Sequence, residues 1–105
     1  MTKYEEALKE LVEYDFEAVD DYYDTYAADK KISFERYLDP QGLYLHTVIL
    51  SDYRGHAGMF NDWFIDSQVY NIEHDVSDSE PLSLGEIEAF MNFIEAFQEV
   101  HNDSI

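Results

Sequence analysis

Apolar and acidic positions separate cleanly over the first quarter of the chain. Wound at 100° per residue, Tyr4, Leu8, Leu11, Ala18, Val19, Tyr22 and Tyr26 fall in one arc of about 100°. Glu6, Glu10, Glu13, Glu17, Asp20, Asp21 and Asp24 fall in a second arc on the opposite side. The spacing predicts one long amphipathic helix over residues 2–27. Asp15 stands inside the apolar arc, where it either pairs with an arginine or breaks the helix; pairing is the expectation.

A second helix is marked at its start. Ser83-Leu84-Gly85-Glu86 is a capping box, with Ser83 as N-cap and Glu86 three positions on. Behind it Ile87, Phe90, Met91, Ile94 and Phe97 predict the buried face, with Glu88, Glu95 and Glu99 opposite and fraying near His101-Asn102. Between the helices, residues 32–39 and 43–51 are rich in β-branched and aromatic side chains. Asp39-Pro40-Gln41-Gly42 separates them and suits a type I turn, so a hairpin is expected. Arg54-Gly55-His56-Ala57-Gly58 reads as a loop. Residues 59–72 fit a helix through Met59, Phe60, Trp63 and Phe64, or a strand over 65–72. Residues 75–81 read as an acidic loop. The expected fold is a single α+β domain over residues 1–105: a long N-terminal amphipathic helix, a small antiparallel sheet of two or three short strands, and a C-terminal helix.

Charge changes the picture more than composition does. Twenty-four Asp and Glu face six Lys and Arg, for a net charge of −18, so phosphate backbones and anionic membranes are repelled. Apolar residues at 46% and aromatic residues at 16% nevertheless supply a core, which argues against disorder. There is no cysteine, which removes disulfides, thiolate zinc sites and cysteine nucleophiles. No apolar run approaches a membrane span and the first residues do not read as a signal peptide, so a cytoplasmic protein is expected. The acids also cluster. Residues 10–29 hold eight acids without a base, and residues 55–105 hold eleven without a Lys or Arg.

Catalytic signals are weak, and no enzyme is expected. His46, His56, His74 and His101 are scattered, with no metal-binding or nucleophile-activating spacing. Asp75, Ser77, Ser79, Ser83 and Glu86 match the oxygen-ligand spacing of a calcium loop. Glu80 stands where that loop needs glycine, however, and the capping box already accounts for Ser83 and Glu86. No metal or cofactor is expected.

The carboxylate array carries the most information. A domain of this length has a radius of gyration of about 13 Å, hence a diameter of about 34 Å. That length of duplex carries about 20 phosphates, close in scale to the net charge. Seven helical carboxylates, with no lysine inside their arc between Glu6 and Asp24, repel one another, each pair costing roughly 0.2–0.5 kcal/mol. From Glu6 to Asp24 they would span about 27 Å at the helical rise. Tyr14 and Tyr23 sit beside them as aromatic anchors, and Asp75, Asp78 and Glu80 form a second acidic patch. In size, charge and aromatic content the chain resembles, without a shared motif, the small acidic inhibitors that phages and mobile elements turn on host defence: anti-restriction proteins, anti-CRISPR proteins and uracil-DNA glycosylase inhibitors. The expectation is a DNA mimic, monomer or homodimer, that occupies the nucleic-acid-binding cleft of a host defence or DNA-processing enzyme. The alternative is an acidic interaction module masking a basic partner that does not bind nucleic acid.

Overall fold

The computed structural model describes residues 2–19, 30–52 and 63–100. Asp20, Asp21, Tyr22, Tyr23, Asp24 and Tyr26 lie outside the described residues, as do the expected loop 54–58, Met59, Phe60 and the fraying at His101-Asn102. The order of elements is α1 (Lys3–Glu13), β1 (Glu17–Ala18), β2 (Lys30–Tyr37), β3 (Tyr44–Asp52), β4 (Trp63–Asn71), β5 (Val76–Ser79) and α2 (Leu84–Val100). The chain divides into two compact units. Residues 1–16 and 82–105 form a helical unit, and residues 17–81 form a sheet unit.

In the helical unit both helices open with the same device. The Thr2 hydroxyl accepts from the Glu5 N–H at 3.1 Å while the Glu5 carboxylate accepts from the Thr2 N–H at 3.1 Å. Ser83 and Glu86 repeat the exchange at 3.2 and 2.8 Å. Each box satisfies N–H groups that a helix start leaves without intrahelical partners. The seam between the helices is aromatic. Tyr4 lies 5.5 Å from Phe93 and 6.5 Å from Phe97, and Phe16 meets Phe90 edge-on at 5.0 Å. Ala7, Leu11, Ala89 and Ala96 are buried with them, the alanines letting the backbones approach. The buried stripe of α2 is therefore Ala89, Phe90, Phe93, Ala96 and Phe97, turned by roughly a quarter-turn from the stripe read in the sequence. Met91 is 59% exposed, and Ile87 and Ile94 are half-buried flanks.

The expected long helix is corrected: α1 stops after eleven residues. Asp15 takes a left-handed φ of 70°. Its N–H bonds to the Val12 carbonyl at 2.8 Å, and the Phe16 N–H reaches back to the Leu11 carbonyl at 3.1 Å. Those two bonds, with Phe16 and Leu11 both buried, form a Schellman cap with aspartate in the place glycine usually holds. Asp15 breaks the helix, so the expectation that it stays helical and pairs with an arginine is overturned.

The sheet unit is also larger than expected. Five strands, and not two or three, run antiparallel in the order β1-β2-β3-β4-β5. Residues 63–71 resolve the ambiguous segment as strand β4, and the expected acidic loop contains β5. The β2–β3 hairpin closes through the Asp39–Gly42 turn, where the Gly42 N–H meets the Asp39 carbonyl at 3.2 Å and Gly42 takes a φ of 73°. The Asp39 carboxylate accepts from the backbone N–H groups of Leu43 and Tyr44 at 2.9–3.1 Å. Directly paired residues share a face. One face thus carries Ile32, Phe34, Val48, Leu50 and His46, all at most 2% exposed. The other carries Glu17, Lys31, Ser33, Glu35, Tyr37, Leu45, Thr47, Ile49, Ser51, Phe64, Asp66, Gln68, Tyr70, Ser77 and Ser79.

Two predictions follow from these turns. Asp15→Gly removes the left-handed penalty and should raise unfolding stability by about 0.5–1 kcal/mol, whereas Asp15→Val should lower it, as read by urea denaturation. At Asp39, desolvation pushes the carboxyl up, but the backbone N–H groups of Tyr44, Leu43, Asp39 and Gln41 outweigh it and hold the group below its ordinary 3.8. A depressed carboxylate stabilises the fold above the unfolded-state value, and that contribution disappears as pH falls through the folded-state value. Asp39→Asn should therefore lower the thermal midpoint at neutral pH, and the gap to wild type should close on acidification into that range.

Candidate functional site

The expected helical stripe is cut short. Glu6, Glu10 and Glu13 remain on one side of α1, Glu6 and Glu13 exposed and Glu10 half-buried, and they span about 10 Å at the helical rise. Among the described residues none of the three makes an ion pair. Neither helix has a basic residue in its last turn, where the helix dipole favours one. The cation that does engage is Lys3, whose ammonium lies 3.3 Å from both Glu95 and Glu99 on α2. Hydrogen bonds to Glu95 and then Glu99 raise the Lys3 pKa. Glu5 is occupied differently: the Thr2 N–H holds its carboxyl below the ordinary range.

The other expected contact residues scatter. Tyr14 caps the C-terminus of α1 and is half-buried, its hydroxyl 2.5 Å from where a side chain on Gly85 would begin. Glu17 lies on edge strand β1, directly opposite Glu35 of β2. Asp20, Asp21, Tyr23 and Asp24 are outside the described residues. Asp75 closes the β4–β5 turn at φ 54° and accepts the Tyr70 hydroxyl at 2.5 Å, a bond that raises the Tyr70 pKa. Asp78 sits in β5 opposite Val69. Glu80 follows the strand, its N–H bonded to the Ser67 carbonyl at 3.0 Å. The patch is therefore a strand edge and its turn.

Sequence reasoning gave His46 no role, and it proves to be the most buried polar side chain described. Arg36 Nε–H donates to His46 Nδ1 at 3.0 Å, and His46 Nε2 lies 2.7 Å from Ser67 Oγ. Arginine only donates, so Nδ1 carries the lone pair and Nε2 carries the proton, which it gives to Ser67. This orientation is the reverse of a base-activated serine, in which Nε2 accepts from the hydroxyl. The cluster ties β2, β3 and β4 together across the buried face. Its signal in sequence was only the even spacing Arg36-Phe34-Ile32 against His46-Val48-Leu50.

No protein-family model, curated protein or solved structure matches this chain. Among the described residues no three His, Cys, Asp or Glu side chains gather as a metal site, and no helix is long and apolar enough to cross a membrane.

Truncating His46 leaves both Arg36 and Ser67 without this partner where both are half-buried. His46→Ala should cost about 2–4 kcal/mol of unfolding free energy and Ser67→Ala about 1 kcal/mol, measured by chemical denaturation.

Proposed function

We propose that this protein is a small acidic inhibitor that presents carboxylates in place of phosphates and occupies the nucleic-acid-binding cleft of a host defence or DNA-processing enzyme. The observation that supports the reading is the face Glu6, Glu10 and Glu13, none of them ion-paired among the described residues, on a chain of net charge −18. An ordinary solvated helix face intersperses lysines to recover the repulsion. Here the lysines within helical reach, Lys3 and Lys9, form no ion pair with these three among the described residues, and the aromatic seam on the other side of α1 bears its stability instead. The shortened stripe changes the scale of the mimicry. About 10 Å of duplex carries about 6 phosphates, so α1 imitates a short stretch of backbone and the sheet unit supplies further charge. The mechanism is competitive occupancy, steered by the protein's negative field and without turnover.

Pull-down from host lysate followed by challenge with duplex DNA tests the reading. DNA should release the captured protein, with the release strengthened by salt. A partner that stays bound under saturating DNA would assign the chain instead to masking a basic protein that does not bind nucleic acid. Reversing Glu6, Glu10 and Glu13 to Lys should weaken capture at least tenfold while leaving the thermal midpoint unchanged or higher.

A further inference from the structure

The more exposed face of the sheet holds a hollow of about 170 Å³, lined by Thr47, Ile49, Asp66, Gln68, Tyr70 and Ser77. Strand register builds it: Thr47 faces Gln68, Ile49 faces Asp66, and Tyr70 faces Ser77. Within it Asp66 is the charged group. Gln68 Nε2 donates to Asp66 Oδ2 at 3.1 Å, and among the described residues that is the carboxylate's one hydrogen bond, with no ion pair beside it. The Tyr70 ring is tethered through its hydroxyl to Asp75 at 2.5 Å. Ile49 and the Thr47 methyl give the hollow an apolar wall.

A carboxylate paired with an aliphatic side chain at one end of the hollow, and an aromatic ring four residues along the same strand, suit a cationic side chain. The charged head takes a charge-assisted bond to Asp66, opposite Ile49, while its methylene stem lies along the hollow toward the Tyr70 ring. An anion would be repelled by Asp66, and an apolar group would desolvate that carboxylate without replacing its water. A second copy of this chain fits poorly, because each copy carries −18. The same face bears a further unbalanced feature. Glu17 and Glu35 stand directly opposite each other across β1 and β2, a like-charge pair that destabilises a sheet until a cation meets it. From strand spacing and rise, Glu35 lies about 12 Å from Asp66, and Lys31, the base on this face, lies equally far in the other direction along β2.

We propose that this hollow is the pocket for an arginine or lysine side chain of the partner, with Asp66 as anchor and Glu17–Glu35 receiving a second cation about 12 Å away. It rests on the reading above that the partner is cationic, and it locates the grip on the sheet unit as well as on α1.

The test is an amide-resolved NMR titration of the full chain with N-acetyl-arginine amide, its neutral isostere N-acetyl-citrulline amide serving as control. Arginine should give saturable shifts centred on Ile49, Asp66, Gln68 and Tyr70, at least tenfold weaker for citrulline and for Asp66→Asn. Thr47→Arg, which places the chain's own guanidinium at the hollow, should also abolish them. Glu6→Gln/Glu10→Gln/Glu13→Gln should leave them intact. Equal shifts with citrulline, shifts spread over every carboxylate without saturation, or dimer-type broadening of this face without probe would each overturn the pocket. The titration contains neither partner nor DNA. A silent hollow beside successful DNA competition defeats the pocket alone, and a saturable hollow beside failed competition defeats mimicry alone.

Discussion

The helical unit depends on one seam that joins the two ends of the chain. Tyr4 and Phe16 come from the beginning, Phe90, Phe93 and Phe97 from the end, and 65 residues run between the two halves of that unit. Closing a loop of that length costs on the order of 4 kcal/mol beyond the constant term. The ring pairs contribute roughly 0.5–1.5 kcal/mol each beyond their burial, which explains why so many aromatics gather at this seam. The sheet has no such closure to make. Each of its strands pairs with its neighbours in sequence, so its contacts are local and the intervening chain is compacted strand by strand.

This arrangement separates stability from charge. Burial is concentrated in the aromatic seam and in the Ile32, Phe34, Val48 and Leu50 face, while the carboxylates of α1 and of the open sheet face make few bonds. Acids near the C-terminal ends of both helices oppose the dipole, and Lys3 offsets only part of that through Glu95 and Glu99. That surface works against the fold electrostatically, and the core tolerates it.

What could be read from sequence was whatever local chemistry decides. The Ser83–Glu86 box places the start of α2, and Asp39-Pro40-Gln41-Gly42 places the β2–β3 turn, because each signal lies within four residues. The end of α1 was hidden because aspartate fills the left-handed position and the helical period continues by coincidence through Ala18 and Val19. The face of α2 was misjudged because Ala89 and Ala96 carry little hydropathy yet mark the close approach. Val76-Ser77-Asp78-Ser79 shows no strand alternation, being fully exposed and defined by its pairing to β4. The candidate site fared similarly. The acids of α1 were visible as a period, but the hollow joins residues from 47 to 77 that only register brings together.

The outer edge of β5 has a consequence for how the protein behaves in bulk. It is four residues long, wholly exposed, carries Asp78 and is flanked by Asp75 and Glu80. Growth of stacked strands needs a long, flat, uncharged edge as template, and this one is too short and too negative to serve. Such an edge does not template fibre growth as the protein accumulates.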